Sequence, residues 1–204
     1  MTLAGFLAVA FLHLLAVISP GPAVIMAAKT GVSEGLRTGV FLAIGLALGA
    51  VIWAFAALFG LGVVFAAAPR LLFALKLLGA GYLLWLAYGF WRDADKPLPL
   101  GDTGKAARTP FGAFRLGVFT QLTNPKPAIL FSAIFLGTVP PTTPLWVYGA
   151  LLTVVFINEV AWNTFVARIF SLARTRTAYL SLKSILDKTF GGLLALLGVK
   201  IATT

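Results

Sequence analysis

The residues best suited to chemistry lie inside the apolar stretches of this sequence. Ser19-Pro20-Gly21-Pro22 and Asn124-Pro125-Lys126-Pro127 each set two prolines into a run long enough to cross a membrane, and Glu159 is the one carboxylate well inside another such run. A proline has no backbone N–H, and its ring collides with the carbonyl four residues earlier, Ile18 for Pro22 and Ala16 for Pro20. Gly21 loosens the backbone between them. The first run should therefore bend or unwind near its middle. Backbone groups freed in hydrocarbon are costly unless they face protein or a water-filled cavity, so a break at that depth argues for a cavity. A half-helix beginning near Pro22 would aim N–H groups and a positive dipole end at a carboxylate. Ser19 and the neighbouring carbonyls suit an ammonium group. A proline kink that only shapes packing is the competing reading.

The second segment adds side-chain chemistry. Gln121 and Asn124 are three residues apart and share a helix face. Lys126 suits a half-site or gate on the inner side, or equally a lysine that snorkels to the interface. Ionisable groups inside a membrane are expensive and tend to be functional. Glu159, with Trp162 and Asn163 on the same face, can carry a proton or bind an amine, or it can stand as a constant ionic partner to Lys76 or Lys126. Lys76 itself reads more readily as an outward-snorkelling side chain. His13, the only histidine, reads as hydrogen-bonded packing ahead of a proton carrier. Gly45 and Gly49 form a G-x-x-x-G spacing that lets another helix approach closely, a packing feature.

The elements that position these groups are spanning helices. The 204 residues are 60% hydrophobic and only 11% charged, with a mean hydropathy of +0.98. A span needs about 20 apolar residues to cross a core of roughly 30 Å. Six spans fit: Leu3 to Ala28, Gly39 to Ala68, Leu71 to Trp91, Leu116 to about Thr138, Leu145 to about Val166 and the short Ile185 to Ile201. The first is read as retained, because no basic residue precedes it and it is too long for a signal-peptide core. The absence of cysteine and the single histidine leave no thiolate or histidine-rich metal site, and no cofactor is called for. Paired acids and nucleophile–base arrangements of a membrane-embedded enzyme are also missing.

The net charge of +10 does not mark a nucleic-acid binder, because the basic residues fall between the apolar runs and not on one soluble face. Most lie in alternate connections. Lys29 and Arg37 stand between spans one and two, Arg92, Lys96, Lys105, Arg108 and Arg115 between three and four, and Arg168, Arg174, Arg176, Lys183 and Lys188 around the five-to-six connection. The positive-inside rule makes those connections cytoplasmic and both termini periplasmic. Residues 93–110, rich in Pro, Gly and charge, form the only linker.

Two internal matches suggest a repeat. Pro20-Gly21-Pro22-Ala23-Val24-Ile25 aligns with Pro125-Lys126-Pro127-Ala128-Ile129-Leu130, and Lys76-Leu77-Leu78-Gly79 with Lys188-Thr189-Phe190-Gly191. Halves of three spans each enter the membrane from opposite sides, an inverted-topology repeat of the kind many secondary transporters have. The expected fold is one all-α membrane domain over 1–204. Its six helices form a 3+3 inverted repeat, with helices 1 and 4 broken by proline and halves of about 1–92 and 111–204.

Ser19-Pro20-Gly21-Pro22 in the first span, Leu122-Thr123-Asn124-Pro125-Lys126 opening the fourth, Lys76-x-x-Gly79-Ala80-x-Tyr82-Leu83-x-x-Leu86 in the third and the Gly-rich second span together resemble the LysE/RhtB family of bacterial amino-acid exporters. The resemblance covers essentially the whole chain. It implies an inner-membrane efflux carrier for a small amino acid or derivative, such as threonine, homoserine or homoserine lactone, driven by the proton gradient. Pro127 stands where the family commonly has a small residue. On the residues themselves, the candidate substrate-binding set is Ser19, Pro20, Gly21, Pro22, Asn124, Pro125 and Lys126, with Glu159 for proton coupling. The partners are a small amino acid, protons and the bilayer, with self-association into a homo-oligomer left open. A small-solute or ion permease or channel is the alternative, and a membrane enzyme the more remote one.

Overall fold

Prolines and glycines set the helix ends in the computed structural model, which describes residues 1–18, 21–67, 69–96, 106–140 and 142–203. In chain order the helices are α1 (Leu3–Ile18), α2 (Pro22–Ala67), α3 (Pro69–Asp93), α4 (Pro110–Leu122), α5 (Pro125–Thr138), α6 (Leu145–Ser171) and α7 (Ala173–Thr203). The chain is mostly helical, 89%, with no strand among the described residues.

Four helices, α2 to α5, begin on proline. At the first helical position its missing N–H has no intrahelical partner anyway, and its fixed φ already suits the helix. The remaining donors are capped. Thr109 Oγ1 accepts from the Gly112 N–H at 3.1 Å at the start of α4, and Asn124 Oδ1 accepts from the Lys126 N–H at 3.1 Å at the start of α5. The Gly21 carbonyl accepts from the Ile25 N–H at 2.9 Å at the start of α2. Within the span read from Leu116 to about Thr138, the chain leaves helical geometry at Asn124 (φ −80, ψ 114). Likewise α1 ends at Ile18 and α2 begins at Pro22; Ser19 and Pro20 lie outside the described residues.

Two element boundaries differ from the sequence reading. The connection from Lys29 to Thr38, expected as a loop, is helical apart from Gly35 (φ 83, ψ 179), where the chain turns inside α2. Only a residue without Cβ adopts that φ at low cost. Beside it, the Glu34 side chain, 2% exposed, accepts from the Arg108 backbone N–H at 2.7 Å and pairs with the Arg108 guanidinium. This contact ties the approach to α4 to the turn in α2. We expect Glu34→Ala to release residues 106–109 and to raise the rate of trypsin cleavage after Arg108 several-fold in detergent; an unchanged rate would mean the pair restrains nothing.

The last helix is also longer than expected, beginning at Ala173 and not near Ile185. Its polar first half masks it from a hydropathy reading, yet that half has a partner. Lys183 Nζ donates to the carbonyl of Asp93, the last residue of α3, at 2.9 Å, to that of Ala94 just beyond it at 3.1 Å, and to Asp187 Oδ2 at 2.6 Å. A cation there satisfies carbonyls that a helix end leaves open. Trp91 Nε1 donates to the Lys188 carbonyl at 2.9 Å. The Ser184 hydroxyl and the Lys188 ammonium both bind Asp95 and hold its carboxyl below the usual carboxylate range.

Packing is dominated by α2 against α6 and α4, and by α3 against α7. Small residues permit the α2–α4 approach. A Cβ on Gly45 would collide with the Phe114 carbonyl oxygen, one on Gly117 with the Leu42 carbonyl oxygen, and one on Gly49 would sit 2.7 Å from Gln121 Cβ. The G-x-x-x-G pair is thus the seat of α4. Gly45→Leu forces these backbones apart; overpacking of this kind costs about 1–3 kcal/mol or more. We expect a lower thermal midpoint in detergent, read by tryptophan fluorescence.

The outer surface is apolar. Leu7, Phe55, Trp85, Phe119, Ile157 and Leu196 are all exposed, and a surface of that kind suits lipid and not water. Among the described residues, Pro22–Gly60 and Leu145–Ser171 are long and apolar enough to cross a membrane, and Leu3–Ile18 and Lys126–Phe135 are shorter apolar helices.

Candidate functional site

The end of α1 and the starts of α2 and α5 meet at a cavity where the two buried apolar clusters of the molecule adjoin. Val24 of one cluster and Ala16, Leu130 and Phe131 of the other contribute to its wall. Its polar wall is His13, Gly21, Gln121, Asn124, Lys126 and Glu159. Two helix starts therefore face one space, each with the positive end of a helix dipole; at α5 the Lys126 N–H is taken by Asn124 Oδ1, and Pro125 and Pro127 have none to offer. The cavity leaves about 30 Å³ of free volume, above the roughly 10–15 Å³ that one water requires. It is smaller than an amino acid, so admitting one requires the flanking helices to part.

The sequence-derived candidates divide accordingly. Gly21 before α2, Asn124 and Lys126 at the start of α5, and Glu159 of α6 come together at the cavity. Pro22 is exposed and does not line the cavity. Pro125 starts α5, while its side chain, like that of Lys76, lies outside the described residues, as do Ser19 and Pro20. Asn124 spends Oδ1 on capping α5. Lys126 Nζ lies over the Phe90 ring, 5.8 Å from its centroid, a cation–π contact that lets an ammonium group sit among apolar neighbours.

Glu159 is buried on α6 and held from two sides. Gln121 Nε2 of α4 donates to Oε1 at 3.1 Å, and Asn163 Nδ2, one turn along α6, donates to Oε2 at 2.9 Å. A buried carboxylate requires such donors, since desolvation is otherwise uncompensated. The arrangement leaves two acceptors over. Gln121 Oε1 and Asn163 Oδ1 are buried with no hydrogen-bond partner among the described residues. An unpaired buried carbonyl oxygen carries a desolvation penalty that a visiting donor would relieve.

Two further residues, Gln121 and His13, line this cavity beside the sequence-derived candidates. Gln121 was legible only as a face-mate of Asn124; its place at the last turn of α4, just before the interruption, was the available signal. His13 lies about one and a half turns before the end of α1, close enough to the interruption to reach the same cavity.

A family model described as "LysE type translocator" matches residues 14–204. The chain belongs to the LysE family. Threonine efflux protein of Escherichia coli (strain K12) is 32% identical to it over 205 residues, covering 96% of each chain. Threonine efflux protein of Salmonella typhi is 30% identical with the same coverage. Homoserine/homoserine lactone efflux protein of Salmonella typhimurium (strain LT2) is 28% identical over 190 residues, covering 91% of this chain and 90% of the relative. No solved structure matches. LysE-family efflux transporters are membrane proteins, and the apolar outer surface of this chain accords with that.

Proposed function

We propose that this LysE-family protein exports a small neutral amino acid of the threonine or homoserine type from the cell, in exchange for protons. The observation that carries the reading is the joining, at one buried cavity, of a lysine and a glutamate from different helices with the starts of α2 and α5. A zwitterion has the complementary pair. Its carboxylate suits Lys126 and the start of α2 at Gly21, and its ammonium, with several donors, suits Glu159 and the unpaired Gln121 oxygen. Proton and ammonium then compete for one carboxylate, which is sufficient to couple their opposite movements. The protein works without a cofactor in this scheme, as a carrier and not an enzyme.

The membrane arrangement we propose is six spans in the bacterial inner membrane, with residues 93–110 cytoplasmic and both termini periplasmic. The halves, about 1–92 and 111–204 of a single domain, are related by an inverted repeat in which the prolines at 20–22 and 125–127 interrupt the first and fourth spans. Supporting it, the interruption after Ile18 has a counterpart after Leu122, and helices at corresponding places in the halves lie together, α2 with α6 and α3 with α7. Binding near the middle of the bilayer at discontinuous helices is the geometry by which such carriers alternate access.

Overproduction should raise cellular tolerance to threonine or homoserine and speed the loss of preloaded label. No change across a broad amino-acid panel would sink the exporter reading.

A further inference from the structure

His13 is buried on α1, and nothing in the binding scheme uses it. Its ring stacks on Phe131 of α5, with centroids 5.2 Å apart and planes 18° from parallel. On one edge, Asn158 Nδ2 of α6 lies 3.3 Å from the Ala10 carbonyl oxygen and 3.2 Å from His13 Nδ1. A carbonyl only accepts, so the amide NH₂ gives one hydrogen to Ala10 and the other to Nδ1. Nδ1 is then the acceptor, and the ring proton sits on Nε2. Nε2 faces Glu159 Oε1 at 4.0 Å. The other charged group at this cavity among the described residues is Lys126 of α5; α2 and α4 contribute only uncharged groups.

We propose that His13 is a positioning residue for the coupling carboxylate: its Nε2–H, fixed in that tautomer by Asn158, draws the end of α1 toward Glu159 across 4.0 Å while that group is ionised and relaxes the pull when it carries a proton. This rests on the reading of Glu159 as the coupling site. A donor is attracted far more strongly to a carboxylate than to its neutral acid, so the contact changes strength with the charge. The Asn158 amide joins α1 to α6 whatever the charge on Glu159, so the contact at Nε2 is the one that varies with it, and the end of α1 at Ile18 flanks the cavity about one and a half turns from His13. The protonation state of α6 is thereby communicated to the helix whose end must move to admit substrate.

The test uses the full chain in proteoliposomes with radiolabelled threonine, or homoserine if threonine is not carried, and two measurements. One is threonine–threonine exchange at equal pH; the other is accumulation when the lumen is one pH unit more acidic. For one-for-one antiport, a pH unit supports about a tenfold substrate gradient. His13→Leu should keep exchange while accumulation collapses toward a ratio of one, and His13→Gln, whose amide restores a donor toward Glu159, should keep most of the accumulation. Wild-type accumulation by His13→Leu, or equal loss in both variants, overturns the proposal. If His13→Leu loses exchange too, Asn158→Leu decides. Without the amide the ring proton is free to sit on Nδ1, and Nε2 then turns a lone pair and not a donor to Glu159; accumulation should fall toward a ratio of one while exchange is kept, and wild-type accumulation overturns the proposal. A wild-type protein that exchanges threonine but ignores the pH gradient overturns the antiport reading and this proposal with it, whereas failure of the variants against a working wild type overturns this proposal alone.

Discussion

Glu159→Gln should abolish threonine accumulation driven by a pH gradient and leave threonine–threonine exchange largely intact. A neutral amide imitates the protonated carboxylate in shape but cannot release a proton, so the step that ties proton movement to substrate movement is lost. The protein should still fold. Gln121 Oε1 and Asn163 Oδ1 have no hydrogen-bond partner among the described residues, so either amide can turn its oxygen toward the new NH₂ group. Loss of one ionic contact to the substrate ammonium should weaken binding at the same time, and exchange rates measured at several threonine concentrations separate the two effects. Unchanged gradient-driven accumulation would remove Glu159 from the mechanism and leave it as a structural carboxylate.

The second large effect is expected at Lys126. A hydrogen bond to a charged partner is worth about 1.5–3 kcal/mol, so Lys126→Met should weaken threonine binding roughly 10- to 100-fold. The loss should be selective. Threoninol, which has the amine and hydroxyl but no carboxylate, should bind the variant as well as it binds the wild type. Equal weakening for both ligands would place Lys126 against Phe90 as a packing and charge-balancing residue only.

The legible and illegible parts of this molecule divide by physical cause. Gly45 and Gly49 were readable as a close-approach surface because the requirement is local: two missing side chains one turn apart, and α4 indeed lies on them. Asn124, Pro125 and Lys126 were readable because a proline pair inside an apolar run is chemically conspicuous whatever surrounds it. The start of α7 was not, since Arg174, Arg176, Lys183 and Lys188 look like loop cations until the end of α3 appears beside them and gives Lys183 two carbonyls to cap. The helical course through residues 29–38 was hidden for a similar reason. Its charges suggested a loop, whereas a single glycine with positive φ is enough to turn the chain between two helical stretches. His13 and Gln121 depend on tertiary proximity to Glu159, and no spacing within one helix encodes that.

Transport, as proposed, turns on a single exchange: an amino acid in one direction against a proton in the other, through the cavity bounded by Lys126 and Glu159. The measurement that tests it most directly is uptake of labelled threonine or homoserine by proteoliposomes holding the purified wild-type chain, with and without an acidic lumen. Accumulation with the acidic lumen, its collapse when a protonophore is added, and its absence from Glu159→Gln are the results predicted here. Movement of no amino acid from a broad panel, or uptake that is the same with and without the gradient, would contradict it.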